Sequence, residues 1–508
     1  MKKIFSKIDL SLISIPLLSV LFLSCIFLIF PNESKSFLVN IRSEINKYFS
    51  GYYLWVGILF LLSTLILAFS PLGNIKIGKE NDKPIYPTLK WGMMIFTSTM
   101  SADIIFYSLC EWMMYIGEPT IQSKKNPFEW SLTYSLFHWG PIVWSFYIML
   151  AVAFGYMLYV SQNKKQKFSE ACRPIFGKAI DGLVGKIIDL IAIFSLVAAT
   201  ATTFSMSLPL LVQVAKTLFH IGNIHIWSLV LMAIIVMIYL SISLLGLKAM
   251  SRFSVIAFSV FGLLLLYVVV VSGGAQYDVN AGMMSLKNLI TSFISLALPK
   301  KIGSFTQNWT VYYWSYWIVW CVATPFFIGS ISKGKKIREI VLGAYFWGLG
   351  GTFLSFIILS NFGIREQIKG VLDITALLNK EVLYPVIITT LFKTLPNYQW
   401  GLIILSTAMI GLYCTVFDSI TMVISKYSYK NLLVEENPSR KMRGFWAIAF
   451  SIFPLALILT GESVYNIQSV AIIAAFPTSI VMILIVVSFY KSLVDRKRKH
   501  INIKVLEN

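Results

Sequence analysis

Along the chain, apolar residues gather into long windows separated by short polar connections. Twelve windows of about 20 predominantly apolar residues stand out, at approximately 9–30, 51–70, 91–116, 132–160, 185–216, 223–246, 249–272, 307–331, 338–362, 399–424, 442–460 and 465–490. A helix of that length crosses the hydrocarbon of a bilayer, so each window predicts a membrane span. The first, after Met1-Lys2-Lys3, is too long for a signal-peptide core and lacks a clear small-residue cleavage site, so it counts as a span. Two connections break the pattern. Residues 279–299 repeat apolar positions at helical spacing yet are too polar to cross, which predicts an external interfacial helix in the headgroup plane. Residues 364–397 predict short helical pieces ended by Asn379 and by Pro396.

The 508 residues are 57% hydrophobic and 13% charged, against roughly 45–50% apolar and about 25% charged in soluble domains. So much apolar surface cannot be hidden in a water-facing core, and the bilayer must be part of the solvent. Soluble enzymes, nucleic-acid binders and disulfide scaffolds are thereby excluded. The net charge is +20; with the N-terminus placed inside and loops assigned alternately, 30 of the 43 Lys and Arg fall inside and 13 outside. This bias predicts a multi-pass protein of a bacterial-type cell membrane with cytoplasmic N- and C-termini. The basic residues cluster in loops rather than on a folded face, so nucleic acid is not an expected partner. The five cysteines show no paired spacing, and all but Cys172 lie in apolar windows, as buried small hydrophobes do.

The most informative polar pattern lies in the aromatic residues. One cluster is Phe137-His138-Trp139-Gly140-Pro141-Ile142-Val143-Trp144-Ser145-Phe146-Tyr147; the other is Trp309-Thr310-Val311-Tyr312-Tyr313-Trp314-Ser315-Tyr316-Trp317-Ile318-Val319-Trp320. In the second, Tyr313, Trp317 and Trp320 recur at i, i+4, i+7 and Trp314, Trp317 and Trp320 at every third residue, which puts them on one side of a helix. Interfacial belts place Trp and Tyr singly or in pairs at span ends; this stripe runs more than two turns inward. A ring of such faces suits a quaternary ammonium, a cation without N–H donors that binds through cation–π attraction. Belt and core packing is the competing explanation.

Ionisable groups inside apolar windows are Asp103, Glu111, Arg252 and Asp418, and such groups usually face a cavity. Asp103 follows Ser98-Thr99-Met100-Ser101-Ala102, small polar residues that suggest a locally unwound helix lining a site, with a buried structural pair as the alternative. Arg252 lies near a span end, where snorkelling to the interface also explains it. His138 has no Cys, Asp or Glu at metal-ligand spacing, so a satisfied core imidazole is expected and no metal. No phosphate-binding glycine loop, dinucleotide fingerprint or HExxH occurs, so no cofactor is expected and transport would draw on gradients.

Tyr134-Ser135-Leu136-Phe137-His138-Trp139-Gly140-Pro141 and the run from Trp309 through Ile331-Ser332-Lys333-Gly334-Lys335-Lys336-Ile337-Arg338-Glu339 resemble the fourth and eighth spans of the betaine/choline/carnitine transporter family, most closely in its carnitine/butyrobetaine antiporter branch. The resemblance covers nearly the whole chain. It implies an all-α membrane fold of twelve helices: two N-terminal helices (1–70), a first five-helix repeat (91–272), the external interfacial helix (279–299), a second, inverted five-helix repeat (307–490) and a cytoplasmic tail (491–508). It also implies alternating access around a midplane site and a homotrimer. The family's aromatic box carries over onto Trp139, Trp144, Tyr147 and Trp317, with Tyr316 where Trp is usual; Trp320 matches a family Trp thought to serve the inner gate or pathway.

The departures bear on coupling. The family's glycine-rich stretch in the third span is here Thr99-Met100-Ser101-Ala102-Asp103, and Asp103 matches an Asp of proton-coupled choline carriers. Of the hydroxyl positions that serve sodium, Thr200 and Thr415 remain while Leu196 and Val416 replace others. Arg252 falls where sodium-independent antiporters place an arginine that stands in for the ion. These matches imply sodium-independent transport of a trimethylammonium compound such as choline, carnitine or betaine, by exchange or with protons. Asp103 would carry a coupling proton, attract a cationic substrate, or form a structural salt bridge with Arg252. Other readings are an amino-acid carrier of the same inverted-repeat fold, a non-transporting receptor or osmosensor, and a membrane enzyme acting on choline lipid; the isolated Asp103, Glu111, His138 and Asp418 show no acid–base pairing by spacing, so no enzyme is expected.

Overall fold

The structure, a computed structural model, describes residues 8–99, 101–163, 165–245, 247–433, 435–459 and 464–506. Apart from isolated two-residue bridges, every regular element among them is helical. Among the described residues, nine helical stretches are long and apolar enough to cross a bilayer, or eleven if each of two bent pairs is taken as one span. The expected span 223–246 forms the helix Ile224–Leu245, of which Ile226–Ile242 is the described apolar stretch, shorter than the other crossings. The chain runs α1 (Ser11–Ile29), α2 (Pro31–Phe69), α3 (Thr88–Ser98), α4 (Ser101–Ile116), α5 (Pro127–His138), α6 (Pro141–Tyr159), α7 (Leu183–Phe219), α8 (Ile224–Leu245) and α9 (Leu247–Ser272). After α10 (Ala275–Ala297) come α11 (Val311–Trp320), α12 (Thr324–Ile331), α13 (Ile337–Ala344), α14 (Gly350–Ile368), α15 (Tyr398–Tyr427), α16 (Arg440–Leu459) and α17 (Val464–Leu506). Helix α10 covers the expected interfacial stretch, and Ile374–Asn379 and Tyr384–Phe392 are the short pieces expected in 364–397.

Burial grades from perimeter to centre. Only 28% of the apolar window of α1 is buried, against 94% for the stretch Pro127–Tyr159 that forms α5 and α6, so the latter lies in the middle of the bundle. Exposed Phe22, Trp55, Leu266 and Ile290 give the outer surface the character of a lipid-facing one.

Two spans are interrupted at their centres, and each begins one of the two expected five-helix sets. Helices α3 and α4 meet at 62°, α11 and α12 at 54°. The second interruption has a covalent cause: Pro325, at the start of α12, has no N–H and its ring collides with a helical carbonyl four residues earlier. The first falls in the small polar run, at Thr99, whose backbone is extended. A break in hydrocarbon frees carbonyls that must find donors. Here each finds one from the other half of the chain: Thr415 Oγ1 donates to the Thr97 carbonyl at 2.7 Å, and Thr324 Oγ1, beside the second break, donates to the Ser98 carbonyl at 3.0 Å.

A wide π turn, Thr306–Thr310, precedes α11. Its loosened carbonyls are bound from α2, where Arg42 Nη2 donates to the Asn308 carbonyl at 2.9 Å and Asn46 Nδ2 to that of Gln307 at 3.0 Å. Arg42 is fully buried, and losing it would leave the carbonyl of half-buried Asn308 without this donor. Replacing Arg42 with Ala is expected to lower stability by about 1.5–3 kcal/mol, read as a reduced Tm of the detergent-solubilised protein; an unchanged Tm would show that the clamp does not hold the turn.

Candidate functional site

Four rings meet at the centre of the bundle. Trp139 sits in the break between α5 and α6, ahead of Gly140 and Pro141. A Cβ on Gly140 would lie 2.5 Å from the Leu136 carbonyl, so this tight bend requires glycine, and Pro141 then opens α6 with its φ already helical. Trp144 and Tyr147, three residues apart, share one face of α6. Trp317 arrives from α11. Its ring centroid is 5.6 Å from Trp139, 5.3 Å from Trp144 and 4.9 Å from Tyr147, and Trp144 lies 6.0 Å from Tyr147. All four are fully buried. The indole N–H groups of Trp144 and Trp317 have no hydrogen-bonding partner among the described residues. Ring faces attract a quaternary ammonium; free N–H donors suit an oxygen on the same molecule.

The stripe does not act as one unit. Tyr313 joins the cluster, 5.7 Å from Trp139, and Tyr107 of α4 reaches Trp139 at 5.3 Å. Trp314 packs on Phe137 instead, and Trp320, at the last turn of α11, meets Phe417 at 6.4 Å, outside the four-ring cluster. Tyr316 also points elsewhere, because consecutive helical residues diverge by about 100°. Its hydroxyl donates to Asp103 Oδ2 at 2.7 Å. Thr203 and Ser207 of α7 also donate to Asp103, at 2.8 and 2.6 Å. The carboxylate is fully buried, and its charge is met by hydroxyls from two helices rather than by a basic side chain. Tyr107, 6.2 Å from Tyr316, connects this carboxylate to the ring cluster.

The family model described as BCCT, betaine/carnitine/choline family transporter, matches residues 11–498. The chain belongs to this family. Among its relatives, the glycine betaine transporter OpuD of Bacillus subtilis (strain 168) is 30% identical over 483 residues, covering 92% of this chain and 91% of that protein. The high-affinity choline transport protein of Escherichia coli (strain K12) is 25% identical over 465 residues, covering 88% and 67%. A carnitine transporter of Acinetobacter baumannii is 24% identical over 437 residues, covering 84% and 78%. Each of these relatives is named as a transporter, none as an enzyme.

The residues expected at the coupling site of this BCCT protein separate in space. Thr415 lies at the α3–α4 break, its hydroxyl bound to the Thr97 carbonyl. Arg252 does not come near it or Asp103. It is exposed on α9, beside Lys90 and Met93, in line with exposed Ile256 and Leu263, while Ser251, Ser254 and Ala257 take the buried side. Helical phase thus turns it outward, and the Asp103–Arg252 salt bridge does not form. Met100 lies outside the described residues.

Spacing also missed a pairing. Glu111 and His138 stand on different helices, yet Tyr115 OH lies 2.7 Å from both Glu111 Oε1 and His138 Nδ1. Glu111 Oε2 accepts from the indole of Trp139, and His138 Nε2 faces Thr310 Oγ1 at 2.9 Å. One signal could have found part of it: Asp103, Tyr107, Glu111 and Tyr115 recur every four residues along one face of α4.

Trp144 keeps its place by lying against bare backbone. A Cβ on Gly348, in the π turn Tyr345–Leu349, would approach its ring to 2.2 Å. Gly348→Ala is expected to displace Trp144 and cost about 1–3 kcal/mol, seen as a lower Tm together with altered tryptophan fluorescence. Wild-type values for both would mean that the ring is not held there.

Proposed function

We propose that the chain carries a trimethylammonium compound across the membrane by alternating access, with Trp139, Trp144, Tyr147 and Trp317 gripping the methylated nitrogen. The convergence of these four buried rings, from the α5–α6 break, α6 and α11, carries the reading, and the named cargoes of the relatives (glycine betaine, choline, carnitine) all bear that group. Desolvated rings of this kind contribute about 2 kcal/mol to cation binding. Asp103, one turn from Tyr107 and tied to Tyr316, adds a negative charge beside the box and favours choline, a net cation, over zwitterionic betaine or carnitine. The interruptions of the third- and eighth-span helices at equivalent places support two inverted repeats, 91–272 and 307–490, moving about this centre.

Coupling is proposed to be independent of sodium, by exchange or proton movement. Its support is the buried hydrocarbon of Leu196 and Val416 at positions where a hydroxyl serves sodium in the resemblance drawn above; Arg252, exposed on α9, lends none. Cytoplasmic termini follow from the distribution of Lys and Arg, and a homotrimer from the family likeness.

The test is uptake of labelled choline, betaine and carnitine into proteoliposomes, with and without Na⁺, a pH gradient and internal counter-substrate. Uptake without Na⁺ is expected, and Trp317→Leu is expected to reduce it by tenfold or more, in line with about 2 kcal/mol. Absence of uptake for every quaternary amine would overturn the reading. Asp103→Asn is expected to lower choline uptake selectively; an unchanged choline-to-betaine ratio would remove Asp103 from substrate choice.

A further inference from the structure

The hydrogen-bond chain Thr310–His138–Tyr115–Glu111–Trp139 runs through the buried centre of the bundle. Glu111, Tyr115 and His138 are fully buried. Among the described residues, His138 is the one basic group within ion-pair distance of Glu111, with Nδ1 3.9 Å from Oε1. The other titratable groups around the carboxyl are tyrosines and a thiol: Tyr115 and Cys110 on its own helix, Tyr312 and Tyr313 from α11, and Tyr384 beyond Cys110. Ser135 of α5 also faces it. His138 stacks on Tyr313 with ring centroids 4.9 Å apart and planes 12° from parallel, so the imidazole is fixed in orientation.

With the buried imidazole kept neutral, donor counting then leaves two complete arrangements. Tyr115 has one O–H and two neighbours at 2.7 Å, Glu111 Oε1 and His138 Nδ1, so it donates to one and accepts from the other. With Glu111 ionised, Tyr115 donates to Glu111, His138 Nδ1–H donates to Tyr115, and Nε2 accepts from Thr310. With one proton added on Glu111, the carboxyl donates to Tyr115, Tyr115 donates to Nδ1, and Nε2–H donates to Thr310. The histidine is neutral in both. One proton taken from the medium reverses every bond from Glu111 to Thr310 and exchanges the histidine tautomer. At the far end, Trp139 donates to Glu111 in both arrangements, but to an anion in the first and to a neutral acid in the second. The charge-assisted bond is the stronger, and the anion also attracts a cation held by the box.

We propose that Glu111, Tyr115 and His138 form a one-proton relay that sets the hold on Trp139, so that cation binding at the aromatic box is linked to proton uptake on Glu111. The relay rests on the transport reading for its consequence, not for its existence. Phe305 and Trp309 cover it, their rings 5.4 and 5.0 Å from Tyr115, and Trp309 Nε1 is tied to half-buried Glu118 at 2.8 Å. Proton exchange therefore requires this aromatic cover to move, which confines it to one stage of the transport cycle.

The experiment is nitrogen NMR of the full-length protein in proteoliposomes with labelled histidine, titrated over pH, His138 being assigned by its loss in His138→Gln. The expected result is a change of His138 from the Nδ1–H to the Nε2–H tautomer as pH falls. In Glu111→Gln, whose amide donates to Tyr115 and whose carbonyl accepts from Trp139, the Nε2–H form is expected at every pH. In Tyr115→Phe the tautomer is expected to stop following pH. A His138 tautomer in wild type that is constant over the whole range would overturn the relay, as would an unaltered titration in Glu111→Gln. Choline affinity from tryptophan quenching is expected to fall about three- to tenfold as the wild type is acidified and to be held at its low-pH level in Glu111→Gln. If choline does not bind at all while the tautomer switches, the transport reading fails and the relay stands; if choline binds with no switch, the relay fails and the transport reading stands.

Discussion

Hydrocarbon offers a broken helix nothing to bond to, and this protein breaks its helices at the depth where its chemistry lies. The freed carbonyls of Thr97 and Ser98 are each claimed by a threonine from the other half of the chain, and the π turn before α11 is claimed by Arg42 and Asn46 of α2. An unpaired group there would cost several kcal/mol. The halves are therefore locked across the interruptions, and the orientation of α11, which carries Trp317, follows from that lock.

Once α11 is placed, the site divides by helical phase. Trp317 turns toward α6 and completes a box of ring faces. Tyr316, one residue earlier, turns toward α7 and donates a hydrogen bond to Asp103. Tyr107 lies between the two groups and touches both Trp139 and Tyr316. A cation in the box would thus be surrounded by π faces and approached by two buried carboxylates, Asp103 through Tyr316 and Glu111 through the Trp139 indole. Neither carboxylate has a Lys or Arg partner among the described residues, which leaves the electrostatic demand open to a substrate cation or a proton.

Much of this was legible in the chain. Spans are long-range averages of side-chain transfer energy, so windows of apolar residues located them, and helix α10 showed itself as a periodic stretch too polar to cross. The small polar run before Asp103 marked the break in the third span. Pro325 marked the break in the eighth equally well, but continuous apolarity on either side concealed it. What sequence spacing cannot supply is phase between helices. Arg252 has the expected position in the chain and faces outward, because the buried side of α9 runs through Ser251, Ser254 and Ala257. Glu111 and His138 are far apart in sequence and become neighbours only when α4 packs on α5, while the four-residue repeat from Asp103 to Tyr115 was masked by the apolar residues between.

The central claim is that ring faces, not a shape-matched apolar hollow, hold the methylated nitrogen. It is tested most directly by comparing the binding of choline with that of 3,3-dimethylbutan-1-ol, which has the same shape with carbon in place of charged nitrogen, by quenching of tryptophan fluorescence in detergent. Cation–π attraction in a desolvated box predicts choline to bind at least about tenfold more tightly, with the difference lost in Trp317→Leu. Equal affinities for the two in the wild-type protein would contradict it.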